Sequence, residues 1–368
     1  MPKIDVRRLA QVNLTHRCGT AAASLRDDID LNSLVKGTDY ELRSGESHFT
    51  LLRGVKFEQW VLADDCAPLL ALCQEHLDFA PGDTRVLNLR DGYPKNLEGI
   101  TDRATRTRLV IQQILEGQPE TPNLIVGAVL SLNIAGRRRF FEIDVLAINQ
   151  AGVIRPIEIK SFPIVDGKAR DAKSLGSAFE QIALYLLFLQ RLVHLLEGDI
   201  SQVPLDAVLV TPLNAGRNLN MAVTPVERRV FQARQRVEQV SHLAGSLGFL
   251  PVEIDLTPIA DPSRPEHERI AGLEALTAHF GTHYTPDCGK ACPLAKFCRR
   301  HAHAAGSIDF IGGAVQRQLP NVSSLHRAHE LATGSTPTLQ ERAVAEGLRC
   351  MAHVHQILTT LHVTEEVA

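Results

Sequence analysis

The chain has 368 residues, 44% of them apolar and 22% charged, enough for one large domain or two ordinary ones with a sizeable core. A formal net charge of −3 excludes a chain that is basic overall, so a polyanion would have to be held by local patches. Three stretches qualify, "GRRRF" (136–140), "VERRVFQARQRV" (226–237) and "CRRHAHA" (298–304), although each alone is more often an ordinary solvated face. No run reaches about 18 uninterrupted apolar residues and "MPKIDVRRLAQVNLTHRC" lacks the apolar core of a secretory signal, so no membrane is expected and the reading is cytoplasmic. Seven cysteines, an odd number, argue against a disulfide framework and leave core thiols, metal ligands or catalysis.

In chain order, "HFTLLRGVKFEQWVLADDCAPLLALCQEHL" (48–77) has helix-period apolar positions from about Val55, with Pro68 expected to kink or break it. The stretch 123–162 then predicts three strands, with "AGR" (135–137) and "NQAG" (149–152) as the turns. The strongest helical pattern follows at 167–198, ended by Gly198, and "DAVLVTPLN" (206–214) reads as a buried strand before another helix within 217–248. Helix, three strands, helix, strand is an α/β arrangement around a mixed central sheet flanked by helices. From about residue 260 the chain reads as Pro-rich and irregular, and it closes with an amphipathic helix after 336.

The second and third strands carry acids, which are poor strand formers. Side chains alternate along a strand, so Glu142 and Asp144 share one face, as do Glu158 and Lys160, and the pairing can bring Asp144, Glu158 and Lys160 to one spot. Hard oxygen donors suit Mg²⁺ or Mn²⁺, and a neighbouring lysine can orient water or stabilise charge on a phosphoryl group. On the hairpin alone, a wet sheet face with cross-strand ion pairs accounts for these residues as well.

"EID" (142–144) followed by "EIK" (158–160) resembles the PD-(D/E)XK phosphodiesterase motif, and three further matches narrow the likeness to its RecB-like branch. "FEQIALYL" is similar to the branch's Q-x-x-x-Y motif, with Gln181 and Tyr185 on one helix face. "RGVKFEQWV" resembles its leading-helix motif, with Glu58 where many members have a histidine; a glutamate oxygen suits Mg²⁺ at least as well as imidazole. Cys18 before the core and "CGKACPLAKFC" (288–298) after it resemble the iron–sulfur members, the AddB-type helicase–nucleases and the CRISPR spacer-acquisition exonucleases.

The resemblance implies a restriction-endonuclease-like core at 51–260, an N-terminal arm (1–50) contributing one cluster cysteine, a cysteine-rich iron–sulfur segment at 261–305 and a helical C-terminal extension at 306–368. It implies a metal-dependent deoxyribonuclease, acting as an exonuclease on single-stranded DNA or DNA ends, in repair, recombination or phage defence. In it Asp144, Glu158 and the carbonyl of Ile159 hold Mg²⁺ or Mn²⁺, Lys160 positions the water and Glu58 completes the metal sphere. Gln181 and Tyr185 grip the substrate, and Cys18, Cys288, Cys292 and Cys298 bind a [4Fe–4S] cluster; Glu142, one strand period from Asp144, could support the ligands from behind but has no place in the motif. Cys288 and Cys292 stand one residue further apart than is usual for these members, and Cys288, Cys292, Cys298 and His301 offer a Cys₃His zinc site as the alternative. A non-catalytic nucleic-acid-binding subunit keeping the fold, or a sequence-specific endonuclease, are the rival readings. The chain has no G-x-x-x-x-G-K-[ST] loop, so unwinding would fall to a helicase or other repair or defence subunit. Cys66 and Cys73 read as core residues, while Cys350, His194 and the "HAHAAG" histidines have no assigned chemistry.

Overall fold

The computed structural model describes residues 18–42, 48–82, 84–162, 164–165, 168–169, 172–213, 218–290 and 292–365. Residues 1–17 of the expected N-terminal arm, Asn214 at the end of the expected strand and the first residues of the pattern beginning at 167 thus lie partly or wholly outside it. The chain forms two units, one within 43–246 and the other joining 17–42 to 247–368. No helix among the described residues is long and apolar enough to cross a membrane.

The second unit opens the described chain with α1 (Gly19–Arg26) and α2 (Leu31–Val35), the latter capped by the Asp30 carboxylate, which accepts from the Asn32 N–H. The first unit begins with α3 (His48–Val61) and α4 (Ala63–His76). The break between them precedes Pro68: Asp64, Asp65 and Cys66 take positive φ, so regular turns start after them. Pro68 then falls in the first regular turn, where its missing N–H leaves no intrahelical bond unmade.

Next come β1 (Val86–Asn88) and α5 (Leu97–Leu115), followed by β2 (Leu124–Ile134), β3 (Arg137–Ile148) and β4 (Ile154–Ile159). The expected turns are present: Ala135 and Gly136 at φ 53° and 76° make the two-residue β2–β3 hairpin, and the Asn149 side chain accepts the Ala151 and Val153 N–H groups in the next one. A short ribbon of β5 (Ile164–Val165) and β6 (Lys168–Ala169) leads to α6 (Ala172–Leu195), β7 (Asp206–Pro212), β8 (Leu219–Pro225) and α7 (Glu227–Ser246). Six strands form one mixed sheet in the order β1-β2-β3-β4-β7-β8, parallel at β1–β2 and β4–β7 and antiparallel elsewhere. The molecule is therefore mixed α/β, with helices flanking the sheet.

Alternation along the strands sends Val145, Ala147, Ile157, Ile159, Val208 and Val210 into a core shared with Phe57, Val61, Leu69 and Cys73 of α3 and α4. Cys66 and Cys73 are both buried in that core. Helix α6, almost wholly buried along its middle, packs against β2, β4 and β7, and α5 packs along β2. Neither β1, α5 nor β8 was read from the sequence.

The second unit resumes with α8 (Leu256–Ala260), α9 (Glu266–Phe280), α10 (Ala295–Ala304), α11 (Gly313–Gln318), α12 (Leu325–Ala332) and α13 (Arg342–Glu365). The stretch after 260 is thus not irregular. The prolines lie outside α9, with Pro265 at its N-cap, and Leu273, Leu276 and Phe280 of α9 are buried with Leu31, Leu34 and Phe297. The terminal helix after 336 is present as α13, and Arg327 on α12 clasps Glu341 just before it through two bonds of 3.0 and 2.7 Å.

Candidate active site and cysteine cluster

The β3–β4 ladder runs from Ile148↔Ile154 to Val145↔Ile157 and stops. One more step would set Asp144 opposite Glu158; there the Asp144 carboxylate takes over, its Oδ2 accepting the Ile159 N–H at 2.9 Å. The strands part at the acids, and the Asp144 side chain takes the place of the next ladder bond. On the far side of β4, Glu158 stays paired with Leu209, and the Lys160 N–H donates to the Val210 carbonyl at 2.9 Å.

This brings together the residues expected to act together. Glu158 is 1% exposed, and its Oε1 accepts from Lys160 Nζ. Its other oxygen, Oε2, is buried with no hydrogen-bond partner. The Lys160 side chain is 32% exposed, so it forms the solvent side of the pair. Burial, then the nearby Asp144 charge, pushes the Glu158 carboxyl up to about 8. Asp144 is raised too, by burial and then by Glu58, with Lys160 and the Ile159 N–H opposing. Glu58 of α3 therefore lies within electrostatic reach of both acids.

Two arginines that sequence reasoning missed complete the site. Arg90, just after β1, uses its whole guanidinium: Nη1 pairs with Glu58, Nε donates to Glu142 Oε1 at 2.9 Å and Nη2 to Asp144 Oδ1 at 3.3 Å. Arg103 of α5, 8% exposed, donates from Nη1 to Glu142 Oε2 at 3.0 Å and from Nη2 to the Gly127 carbonyl. Burial alone would lower the Arg90 pKa, but Glu58, Asp144 and Glu142 outweigh it and hold the charge firmly. Gly127 makes room for both. At φ +67° it occupies the left-handed region, and a Cβ there would stand 2.5 Å from Arg90 Cγ and 2.8 Å from Arg103 Nη2. "LNLRDGYP" carries no periodic or motif signal that could have flagged Arg90; the isolated Gly127 inside a strand pattern was the one available hint of a close approach.

Glu142, the acid with no assigned contact in the sequence, is thus the anchor for two arginines. Tyr185 of α6 fixes its backbone: the hydroxyl donates to the Glu142 carbonyl at 2.7 Å and accepts from Gln181 Nε2 at 2.7 Å. Tyr185 is 1% exposed and Gln181 partly exposed, so of this pair Gln181 is the member open to solvent.

In the other unit, Cys18 lies just before α1, and Cys288, Cys292 and Cys298 surround the start of α10. Gly19 permits this closure, because a Cβ there would stand 1.8 Å from the Phe280 carbonyl oxygen. Thr20 donates twice to the Gly281 carbonyl, at 2.9 Å from N and from Oγ1. Cys18, Cys292 and Cys298 each feel at least one neighbouring thiol. Burial, then the charge of Cys18, pushes Cys292 up to about 12, while Cys298 is raised by burial and then by Cys292, Cys18 and Cys288. His301 turns elsewhere, 3.6 Å from Glu274 and tilted against Phe297 with 4.2 Å between ring centres.

Among the described residues no group of three or more His, Cys, Asp or Glu is already set as a metal-binding cluster. Glu58, Asp144 and Glu158 each turn an oxygen to Arg90 or Lys160. The donor types nonetheless fit the expected groups, hard oxygens with one buried and partnerless Oε2 in the first unit and four sulfurs in the second.

No family model matches the chain, and no curated protein matches it. Among solved structures, one described as "Crystal structure of SSO0001" is 16% identical over 48% of this chain and 84% of that chain, with a TM-score of 0.20, a likeness too low to argue from.

Proposed function

We propose that the protein is a metal-dependent nuclease of the RecB-like PD-(D/E)XK type, with a restriction-endonuclease-like core in residues 51–260. The single observation that carries this is the meeting of Asp144, Glu158 and Lys160 where β3 and β4 part, with Glu158 Oε2 buried and partnerless. A buried carboxylate oxygen without a donor costs several kcal/mol of order unless something cationic or protic faces it. Asp144, Glu158 and the Ile159 carbonyl would hold Mg²⁺ or Mn²⁺, with Glu58 joining from α3. A divalent cation there would polarise a phosphoryl oxygen and lower the pKa of a water.

The chain's own residues would do the rest. Lys160 Nζ, held by Glu158 Oε1 and open to solvent, would orient the attacking water and stabilise charge on the phosphoryl oxygens. Glu142, fixed by Tyr185 and Arg103, keeps β3 rigid behind the ligands, and Gln181 reaches the substrate side. In the second unit, Cys18, Cys288, Cys292 and Cys298 would hold a [4Fe–4S] cluster that staples the two ends of that unit. The grouping of Cys18 with the other three, and the turn of His301 toward Glu274, support this set over the Cys₃His zinc site.

The test is cleavage of end-labelled single-stranded and duplex DNA by anaerobically purified protein with Mn²⁺. Asp144→Ala and Lys160→Ala are expected to lose at least about a hundredfold in rate while remaining folded. Equal cleavage by parent and both variants would remove the assignment.

A further inference from the structure

The acid cluster holds its own cation. Glu58, Glu142, Asp144 and Glu158 face Arg90, Arg103 and Lys160. The three bases are not equivalent. Arg103 is buried and pinned between Glu142 and the Gly127 carbonyl, and Lys160 is seated on Glu158. Arg90 projects from the turn after β1, its side chain is 29% exposed, and two of its three contacts go to Glu58 and Asp144, the acids that would also serve a divalent ion. The third contact, Nε to Glu142, ties it to the Arg103–Glu142 anchor.

We propose that Arg90 is a built-in counter-cation that a divalent ion displaces, after which its freed Nη1 and Nη2 clamp the phosphodiester while Nε stays tethered to Glu142. This deepens the nuclease reading and rests on it. With all groups ionised the cluster is one charge negative, and a doubly charged ion makes it one charge positive. A phosphodiester restores the balance, and a guanidinium offers it two parallel N–H donors. The ion and Arg90 therefore compete for Glu58 and Asp144, while the phosphate and Arg90 cooperate. Ion and substrate are coupled through one side chain.

The experiment is calorimetric titration of Mn²⁺ into the chelator-stripped full chain, for the parent, Arg90→Gln, Arg90→Lys and Asp144→Asn, with circular dichroism to check folding, followed by DNA cleavage at saturating Mn²⁺. Arg90→Gln is expected to bind Mn²⁺ about tenfold more tightly, ~1.4 kcal/mol, because the competitor is gone. Its KM for DNA rises about tenfold with a smaller change in kcat, because the clamp is gone. Arg90→Lys keeps the charge but not the fork, so its Mn²⁺ affinity stays near the parent's while KM rises as in Arg90→Gln. Unchanged or weaker Mn²⁺ binding by Arg90→Gln overturns the proposal. If the parent binds Mn²⁺ and Asp144→Asn abolishes it, that failure leaves the nuclease reading standing; if parent and Asp144→Asn give the same null isotherm, both fall together.

Discussion

Replacing Glu158 by glutamine is expected to stabilise the ion-free protein at high pH and to remove its response to Mn²⁺. The carboxyl goes from an ordinary 4.5 in the unfolded chain to about 8 in the fold, chiefly through burial. Between those values the folded state binds the extra proton, so stability falls as pH rises through the window and the full cost is reached above pH 8. At ~1.36 kcal/mol per unit, the step from 4.5 to about 8 costs ~4–5 kcal/mol. Glutamine stands in for the protonated carboxyl and escapes that cost, in which the opposing pull of Lys160 is already included. A gain of ~4–5 kcal/mol at pH 9 results, shrinking through pH 6 and vanishing below pH 4.5. The assay is urea unfolding in EDTA across pH 4.5–9, repeated with Mn²⁺. The parent should gain stability from Mn²⁺ and the variant should not. A gap between the two proteins that does not change with pH, or a parent more stable at pH 9 without ion, would refute the reasoning.

Two further outcomes follow from close packing. Gly127→Ala forces a side chain into the left-handed region and against Arg90 and Arg103, and is expected to cost ~2–4 kcal/mol in urea unfolding; a loss under ~1 kcal/mol would mean that the arginines do not depend on that strand position. Cys18→Ala is expected to turn an anaerobic brown preparation with about four irons per chain into one with less than one, whereas His301→Ala keeps its iron. A colourless parent holding one zinc and dependent on His301 would reverse the ligand assignment.

Much of this architecture follows from local pattern. Alternation put Asp144 with Glu142 and Glu158 with Lys160, the two turn sequences set the hairpins, and the i,i+4 spacing placed Gln181 beside Tyr185. Pattern also misled: prolines after 260 suggested irregular chain, yet Pro262, Pro265 and Pro286 all lie outside α9, whose Glu, Ala and Leu residues favour helix and whose Leu273 and Leu276 are buried with Leu31 and Leu34.

What the sequence by itself determined is the set of acids, the lysine and the strands that carry them, because period and turn chemistry act over a few residues. What only the tertiary structure decided is their company. Arg90 and Arg103 arrive from a turn and a helix with no motif, through a gap that Gly127 leaves open, and they turn Glu142 from an unexplained acid into an anchor. Likewise the seat of Cys18 beside the end of α9 depends on Gly19, where a Cβ would meet the Phe280 carbonyl oxygen at 1.8 Å. Such contacts join segments far apart in the chain, and the position of one distant charge or backbone atom leaves no periodic trace in the residues it meets.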